Sequence, residues 1–180
     1  MSRRFAVIAP GKAAWVTLLL LGGVLPLVVL GVVLASSVGT AARASSWLPA
    51  LPGALVVGLV LAIVVLALRR LSVVIEGDTL VLRAAFYTQR VPLAELDLDN
   101  ARIGPLDRGS DDWPRFRSNG YGLPGAAIGH FRGRPLRHKL FCILTDRNRV
   151  LRLPQRDGAR TLVLSLEHPQ RLLDALKRVA

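Results

Sequence analysis

The chain has a single cysteine, a single methionine and few aromatic rings, and all 12 of its acidic residues lie from Arg69 onward. One thiol excludes an intramolecular disulfide. Cys142 stands in the apolar run KLFCILT, where it reads as a buried, inert side chain. His130, His138 and His168 with one cysteine form no zinc spacing, so no metal and no cofactor is expected. Paired acids are scarce too. Asp111-Asp112 falls in a polar loop, where a solvated pair is the ordinary state, and Asp97 and Asp99 alternate with leucines on a wet face. No serine occupies a nucleophile elbow and no phosphate loop ends in Lys-Ser or Lys-Thr. No catalytic residue is therefore expected, and the chain reads as a non-enzyme.

What is abundant is apolar surface and positive charge, in different places. The 180 residues are 52% hydrophobic yet carry a formal net charge of +12. Only Arg3, Arg4, Lys12 and Arg43 of the 24 basic residues precede Arg69. Two long neutral runs lie between them. About 20 apolar residues in a helix cross a ~30 Å hydrocarbon layer, and a charge at its centre costs about 2.5 kcal/mol or more. Residues 13–35 and 48–68 are accordingly predicted to be transmembrane helices, joined by an external loop over 36–47. Residues 1–12 are then a cytoplasmic N-terminus and 71–180 a cytoplasmic domain. Arg3, Arg4 and Lys12 before the first span, and Arg69-Arg70 after the second, outnumber Arg43 in the loop. The positive-inside rule thus predicts a multi-pass protein of the inner (cytoplasmic) membrane with both termini cytoplasmic. Trp15 and Trp47 fall near the interfaces, and Pro26 is expected to kink the first span. The first apolar run exceeds the 7–15 residues of a cleaved signal. Ala54, Gly58 and Ala62 recur every four residues, a small-residue face along which another helix can approach.

The glycine-rich stretch RSNGYGLPGAAIGHFRG contains a literal G-x-G-x-x-G at Gly120, Gly122 and Gly125. A dinucleotide site needs a buried strand before those glycines and a helix after them. The charged SDDWPRFRSN precedes them and the breaker-rich AAIGHFRGRP follows, so that chemistry is not expected. In a strand or hairpin, glycine instead marks a bulge, a bend or a close approach of two backbones. Gly120, Gly122, Gly125, Gly129 and Phe131 are assigned this structural role.

From Leu71 the pattern becomes short alternating segments. LSVVIEGDTLVLRA predicts two strands turning at Gly77-Asp78, and AFYTQRVPLAEL a third, pushed to an edge by Pro92. LDLDNARIGPLDRGSDDWP reads as irregular. KLFCILT, RVLRLPQ and TLVLSL are further strands, giving six or seven antiparallel strands in all. The chain closes on a helix opening at Pro169, with Leu172, Leu173, Leu176 and Val179 on one face. The fold class is an α-helical transmembrane hairpin plus an all-β cytoplasmic domain with one C-terminal helix.

SNGYGLPGAAIGHFR, LFCILTD, RVLRLP and LVLSLEHPQRLLDALK, in that order, resemble the bacterial pleckstrin-homology-like (bacterial PH) domain over roughly residues 71–180. In that family the domain commonly hangs from one or two transmembrane helices. The resemblance implies a partly open antiparallel barrel capped by the terminal helix, and no catalytic mechanism.

Between Trp113 and Thr145 there is no acidic residue. Arg115, Arg117, Asn119, His130, Arg132, Arg134, Arg137 and Lys139 in that segment are the candidate ligand-binding residues. Near an anionic leaflet each cation gains on the order of 1 kcal/mol, and guanidinium forks grip phosphates. The expected role is a membrane-anchored binding module engaging anionic membrane lipid or a membrane protein partner, including a second copy of itself. The alternative is a small accessory subunit of a membrane enzyme or transporter complex. Nucleic acid is not expected, because few aromatic rings are available to stack bases.

Overall fold

A computed structural model describes residues 2–37 and 50–179. The predicted loop over 36–47, with Arg43 and Trp47, lies almost wholly outside them. The chain opens with strand β1 (Ser2–Ala6), followed by helix α1 (Lys12–Leu19), a π turn (Leu20–Val24), α2 (Leu25–Ser37) and α3 (Ala50–Arg69). Pro26 has no N–H for the Gly22 carbonyl, and the ladder widens just before it at Leu20–Val24. The first helix predicted over 13–35 thus runs on through a π turn that ends where α2 begins, one residue before Pro26. Lys12–Val32 is long and apolar enough to cross a membrane, and Leu51–Leu66 is a shorter apolar helical run. Both helices leave large apolar side chains in the open, Leu21 at 60% and Leu55 at 72% exposure.

Nine more strands follow: β2 (Ser72–Glu76), β3 (Thr79–Ala84), β4 (Tyr87–Pro92), β5 (Arg102–Gly104), β6 (Phe116–Leu123), β7 (Ala126–Arg132), β8 (Lys139–Leu144), β9 (Val150–Pro154) and β10 (Arg160–Ser165). Helix α4 (Pro169–Val179) closes the chain. One sheet has the order β1-β2-β3-β4 and the other β5-β9-β10-β8-β7-β6. Residues 2–6, inside the predicted N-terminus 1–12, form a strand not expected from the sequence: β1 pairs antiparallel with β2 from Ser2↔Glu76 to Ala6↔Ser72. Two sequence expectations are corrected here. The sheets are not wholly antiparallel, since β10 runs parallel to β8. The stretch read as irregular contains β5 and supplies Leu106 and Trp113 to a second core.

The main core lies between the sheets, where Val73, Leu80, Leu82, Ile128, Phe141 and Leu162 meet Leu172, Leu173 and Leu176 of α4. Val179, assigned to that helix face from its spacing, is 47% exposed. The smaller core, with Phe131, Leu140, Cys142 and Val163, lies on the other side of the six-stranded sheet. Strands β8 and β10 are therefore buried on both faces, which is why they read as continuous apolar runs rather than alternating ones.

The helices and the domain share a definite end. Trp15, Leu18 and Val64 pack against the main core. Thr145 Oγ1 donates to the Ile8 carbonyl at 2.6 Å, and Ile8 N–H to the Ser165 carbonyl at 3.2 Å. Phe86, in the β3–β4 turn, lines a cleft with Ile63 and Leu66 of α3 and meets the Tyr121 ring at 6.5 Å. This helical end of the domain holds the starts of β2, β4 and β7 and the ends of β3, β8 and β10. The helices pack on each other through Gly22 and Gly23, which leave room for Leu61, and Gly53, which leaves room for Leu30. Ala54, Gly58 and Ala62 are exposed, and nothing lies within 4 Å of a side chain added at Gly58. The predicted small-residue face therefore turns away from the first helix.

Candidate functional site

The glycine-rich stretch forms the β6–β7 hairpin, with Gly125 in its turn. Gly120 and Gly129 sit directly opposite each other. A Cβ on Gly129 would stand 2.7 Å from the Gly120 Cα and 2.8 Å from the Asn119 carbonyl oxygen, and Gly129 has φ +110°. Only paired glycines permit that approach. Gly122 is open on all sides, and Phe131 enters the second core. The register slips between Arg117 and Asn119, so Ser118 is an extra residue. Such a bulge re-aims the side chains around it. Ser118 Oγ donates to the His130 carbonyl at 3.1 Å.

The hairpin carries some of the candidate residues into one cleft and leaves others outside. Arg132 on β7 pairs with Lys139 on β8, and Lys139 pairs with Arg160 on β10. These three cations form a row across adjacent strands. They line a cleft of about 310 Å³ together with Ser118, Asn119 and His130. Among the described residues none of the three has a carboxylate partner within 4.0 Å. Arg132 Nη1 donates to the Leu136 carbonyl at 3.2 Å, which orients it without neutralising it. Like charges placed opposite one another across a sheet destabilise it. The fold therefore holds here a charge arrangement that its own stability does not favour.

His130 forms the floor, edge-on to Phe141 at 5.0 Å and to Tyr87 at 6.0 Å. Tyr87 Oη donates to Asn119 Oδ1 at 2.9 Å, tying β4 to β6. Burial, and then the charge of Arg160, hold the imidazole below the usual histidine range. Both effects favour the neutral imidazole of His130.

Arg115, Arg117, Arg134 and Arg137 do not join this cleft. Arg115 Nη2 donates to the Arg108 carbonyl at 3.2 Å, and Arg117 is exposed opposite Phe131. Arg134 and Arg137 are exposed on the β7–β8 loop. Of the Asp111-Asp112 pair, Asp111 is exposed as expected, but Asp112 is not a solvated acid: its Oδ1 lies 3.1 Å from His138 Nε2 with both side chains mostly covered. The Asp111 backbone carbonyl accepts from Arg134 N–H at 2.9 Å. Arg147 stacks on Trp113 at 4.6 Å from the ring centre. These contacts clamp the segment over the second core. Sequence reasoning missed Arg160, Ser118 and Tyr87. Arg160 opens the apolar TLVLS strand as Lys139 opens LFCIL, a parallel that points to a shared edge once the two strands are known to be neighbours.

The cation row stands at the end of the domain away from the helices. Strand β7 starts at the helical end with Ala126 and reaches Arg132 six residues later, about 20 Å along the strand at ~3.3 Å per residue. The cleft can accept a compact anion or an acidic side-chain cluster. No family model matches the chain, and no curated protein or solved structure matches it.

Proposed function

We propose that this chain is a membrane-anchored, non-enzymatic binding module of the bacterial PH-like kind. In this reading the two apolar helical segments lie in the inner membrane, both chain ends are cytoplasmic, and the domain offers its cation row to an acidic segment of a partner protein. The anchor is supported by the exposed apolar side chains of both helices, which water does not favour over so large a continuous surface. Pairing of β1 with β2 supports a hairpin, because it brings the two flanks of the helical pair to one side. It also argues against the first helix being a discarded signal, since removal would strip an edge strand and the Trp15 and Leu18 contacts from the core.

The observation that carries the binding role is the unneutralised row Arg132, Lys139 and Arg160 over His130. The position of Arg132 about 20 Å along β7 from the helical end, roughly 2.5 Debye lengths at physiological salt, favours a protein partner over head groups of the anchoring leaflet. Purification of the full chain from native membranes in mild detergent tests this. An acidic membrane-associated partner is expected at low salt, lost at high salt and lost in the Arg132→Gln/Lys139→Gln/Arg160→Gln variant. Capture that ignores both changes, or persistent isolation of the chain alone, refutes the role.

A second reading, an accessory subunit of a membrane enzyme or transporter complex or a homo-oligomer, draws on the outward Ala54, Gly58 and Ala62 face. It predicts that Gly58→Leu dissociates an assembly that the triple charge variant leaves intact.

A further inference from the structure

A second basic cluster lies at the opposite end of the domain, on the outer face of the four-stranded sheet. Ser72 opens β2 there, two residues beyond Arg70. It is 2% exposed, and its hydroxyl has no hydrogen-bond partner among the described residues. A buried hydroxyl left unpaired costs about 1–3 kcal/mol. Ser72 borders a cleft of about 390 Å³ that Arg4, Arg70, Arg83, Ala85 and Thr88 also line. The strand register puts Arg83 between Ser72 and Thr88, with Arg4 on the next strand opposite Val74. Arg83 meets Glu76 at 3.5 Å, but both side chains are largely exposed, so the pair is weak. Arg4 and Arg70 have no carboxylate within 4.0 Å among the described residues.

An apolar cleft of about 190 Å³ adjoins it, formed by Ile63, Leu66, Arg70, Ala85 and Phe86. Arg70 and Ala85 belong to both. Ala85 takes the left-handed conformation, φ +53°, in the turn that lays Phe86 beside α3. Phe86 is 60% exposed and Leu66 59%. Three guanidinium groups and an unpaired hydroxyl are thus continuous with an apolar slot running along the helix, at the level where α3 ends.

We propose that the joined clefts seat one anionic phospholipid of the surrounding leaflet. Its phosphate lies among Arg4, Arg70 and Arg83 and accepts a hydrogen bond from Ser72, and one acyl chain lies along Ile63, Leu66 and Phe86. Guanidinium forks suit phosphate oxygens. A zwitterionic head group would bring its own cation among three others, so the site selects net negative charge. The inference rests on the reading that α3 lies in the bilayer.

Native mass spectrometry of the full chain in detergent, given equal amounts of dioleoyl phosphatidylglycerol and dioleoyl phosphatidylcholine, tests it. One retained phosphatidylglycerol is expected, favoured about tenfold or more, since each engaged cation contributes a factor of about five. Arg70→Gln/Arg83→Gln, which leaves only Arg4, should reduce the preference to about fivefold or less. Ser72→Ala, which keeps the strand and the charge, should lower the amount of lipid retained about fivefold while leaving the preference in place, because both lipids carry the phosphate it donates to, and it serves if the double variant does not fold. Arg149→Gln, an exposed cation on the β8–β9 turn at the same end, should leave the preference unchanged. No preference in the wild type, or equal loss in Arg149→Gln, overturns the site. Displacement of the lipid by millimolar inorganic phosphate or glycerol 3-phosphate also overturns it, by showing a free-phosphate site. Carbonate extraction separates the underlying reading: release of the wild type from membranes overturns anchor and lipid site together. Retention without lipid preference overturns the lipid site alone.

Discussion

Replacing Gly129 by alanine places a methyl group where the backbone of β6 already lies. The new Cβ would meet the Gly120 Cα at 2.7 Å and the Asn119 carbonyl oxygen at 2.8 Å, both inside the closest approach of real Cβ atoms. Neither neighbour is a flexible side chain. A φ of +110° adds backbone strain of about 1–3 kcal/mol for any residue with a Cβ. Displacing the β6 backbone costs roughly another 1–3 kcal/mol. The sum, roughly 2–6 kcal/mol, corresponds to a fall in Tm of roughly 10 °C or more for a domain near 100 residues. Gly122→Ala is the matched control in the same hairpin. Nothing lies within 4 Å of its added methyl, so its effect should stay within about 0.5 kcal/mol. Thermal unfolding in detergent, followed by near-ultraviolet circular dichroism, compares the two. A Gly129→Ala protein melting within about 2 °C of Gly122→Ala would refute the close-approach reasoning, since 2 °C corresponds to well under 1 kcal/mol. Two equally damaged variants would refute it as well, because the spacing motif rather than the facing pair would then matter.

Three further outcomes are expected. His130 has its pKa lowered by burial and by Arg160, so its contribution to stability is complete above the unfolded value near 6.5 and is lost as pH falls below it. Urea titrations from pH 7.5 to 5 should show a decline that His130→Gln makes shallower, and an identical decline in both would contradict the assignment. His138→Ala should release the 105–115 segment at a cost of about 1 kcal/mol, with faster amide exchange near Trp113. Unchanged exchange would show that the Asp112 contact does not hold it. Gly53→Leu should separate the helices, because even the first added carbon would stand 2.7 Å from Leu30 Cδ2. A disulfide between cysteines placed at the touching positions Gly22 and Leu61 should then form more slowly, and an unchanged rate would contradict this packing.

Much of the architecture was legible because it rests on local signals. The neutral apolar runs marked the helices, Gly77-Asp78 marked the β2–β3 turn that pairs Glu76 with Thr79, and Pro169 marked the start of α4. What escaped depends on distant pairing. SRRFA reads as a basic flank of a helix, and only its alignment on β2 makes it a strand. Arg160 could not be grouped with Lys139 from the sequence, because a parallel neighbour lies beyond the intervening β9. Of the candidate residues Asn119, His130, Arg132 and Lys139 entered the cleft and Arg115, Arg117, Arg134 and Arg137 did not, since strand alternation and the bulge at Ser118 decide which side chains share a face. The Ala54, Gly58 and Ala62 spacing fits helix packing, but it is Gly53 and Leu61, on another face of α3, that lie against Leu30 and against Gly22 and Gly23 of the first helix.

In the proposed arrangement the domain hangs from the bilayer by the Phe86 end and points its cation row away from it. Cys142 is fully buried and its thiol is pushed far up by burial, so an introduced cysteine can be labelled selectively. Phe86→Cys and Arg132→Cys, each carrying a fluorophore in the full chain in vesicles, should respond differently to doxyl-labelled lipid. Strong quenching at position 86 and none at position 132 is the predicted result. Equal quenching at both positions, or none at either, would contradict it.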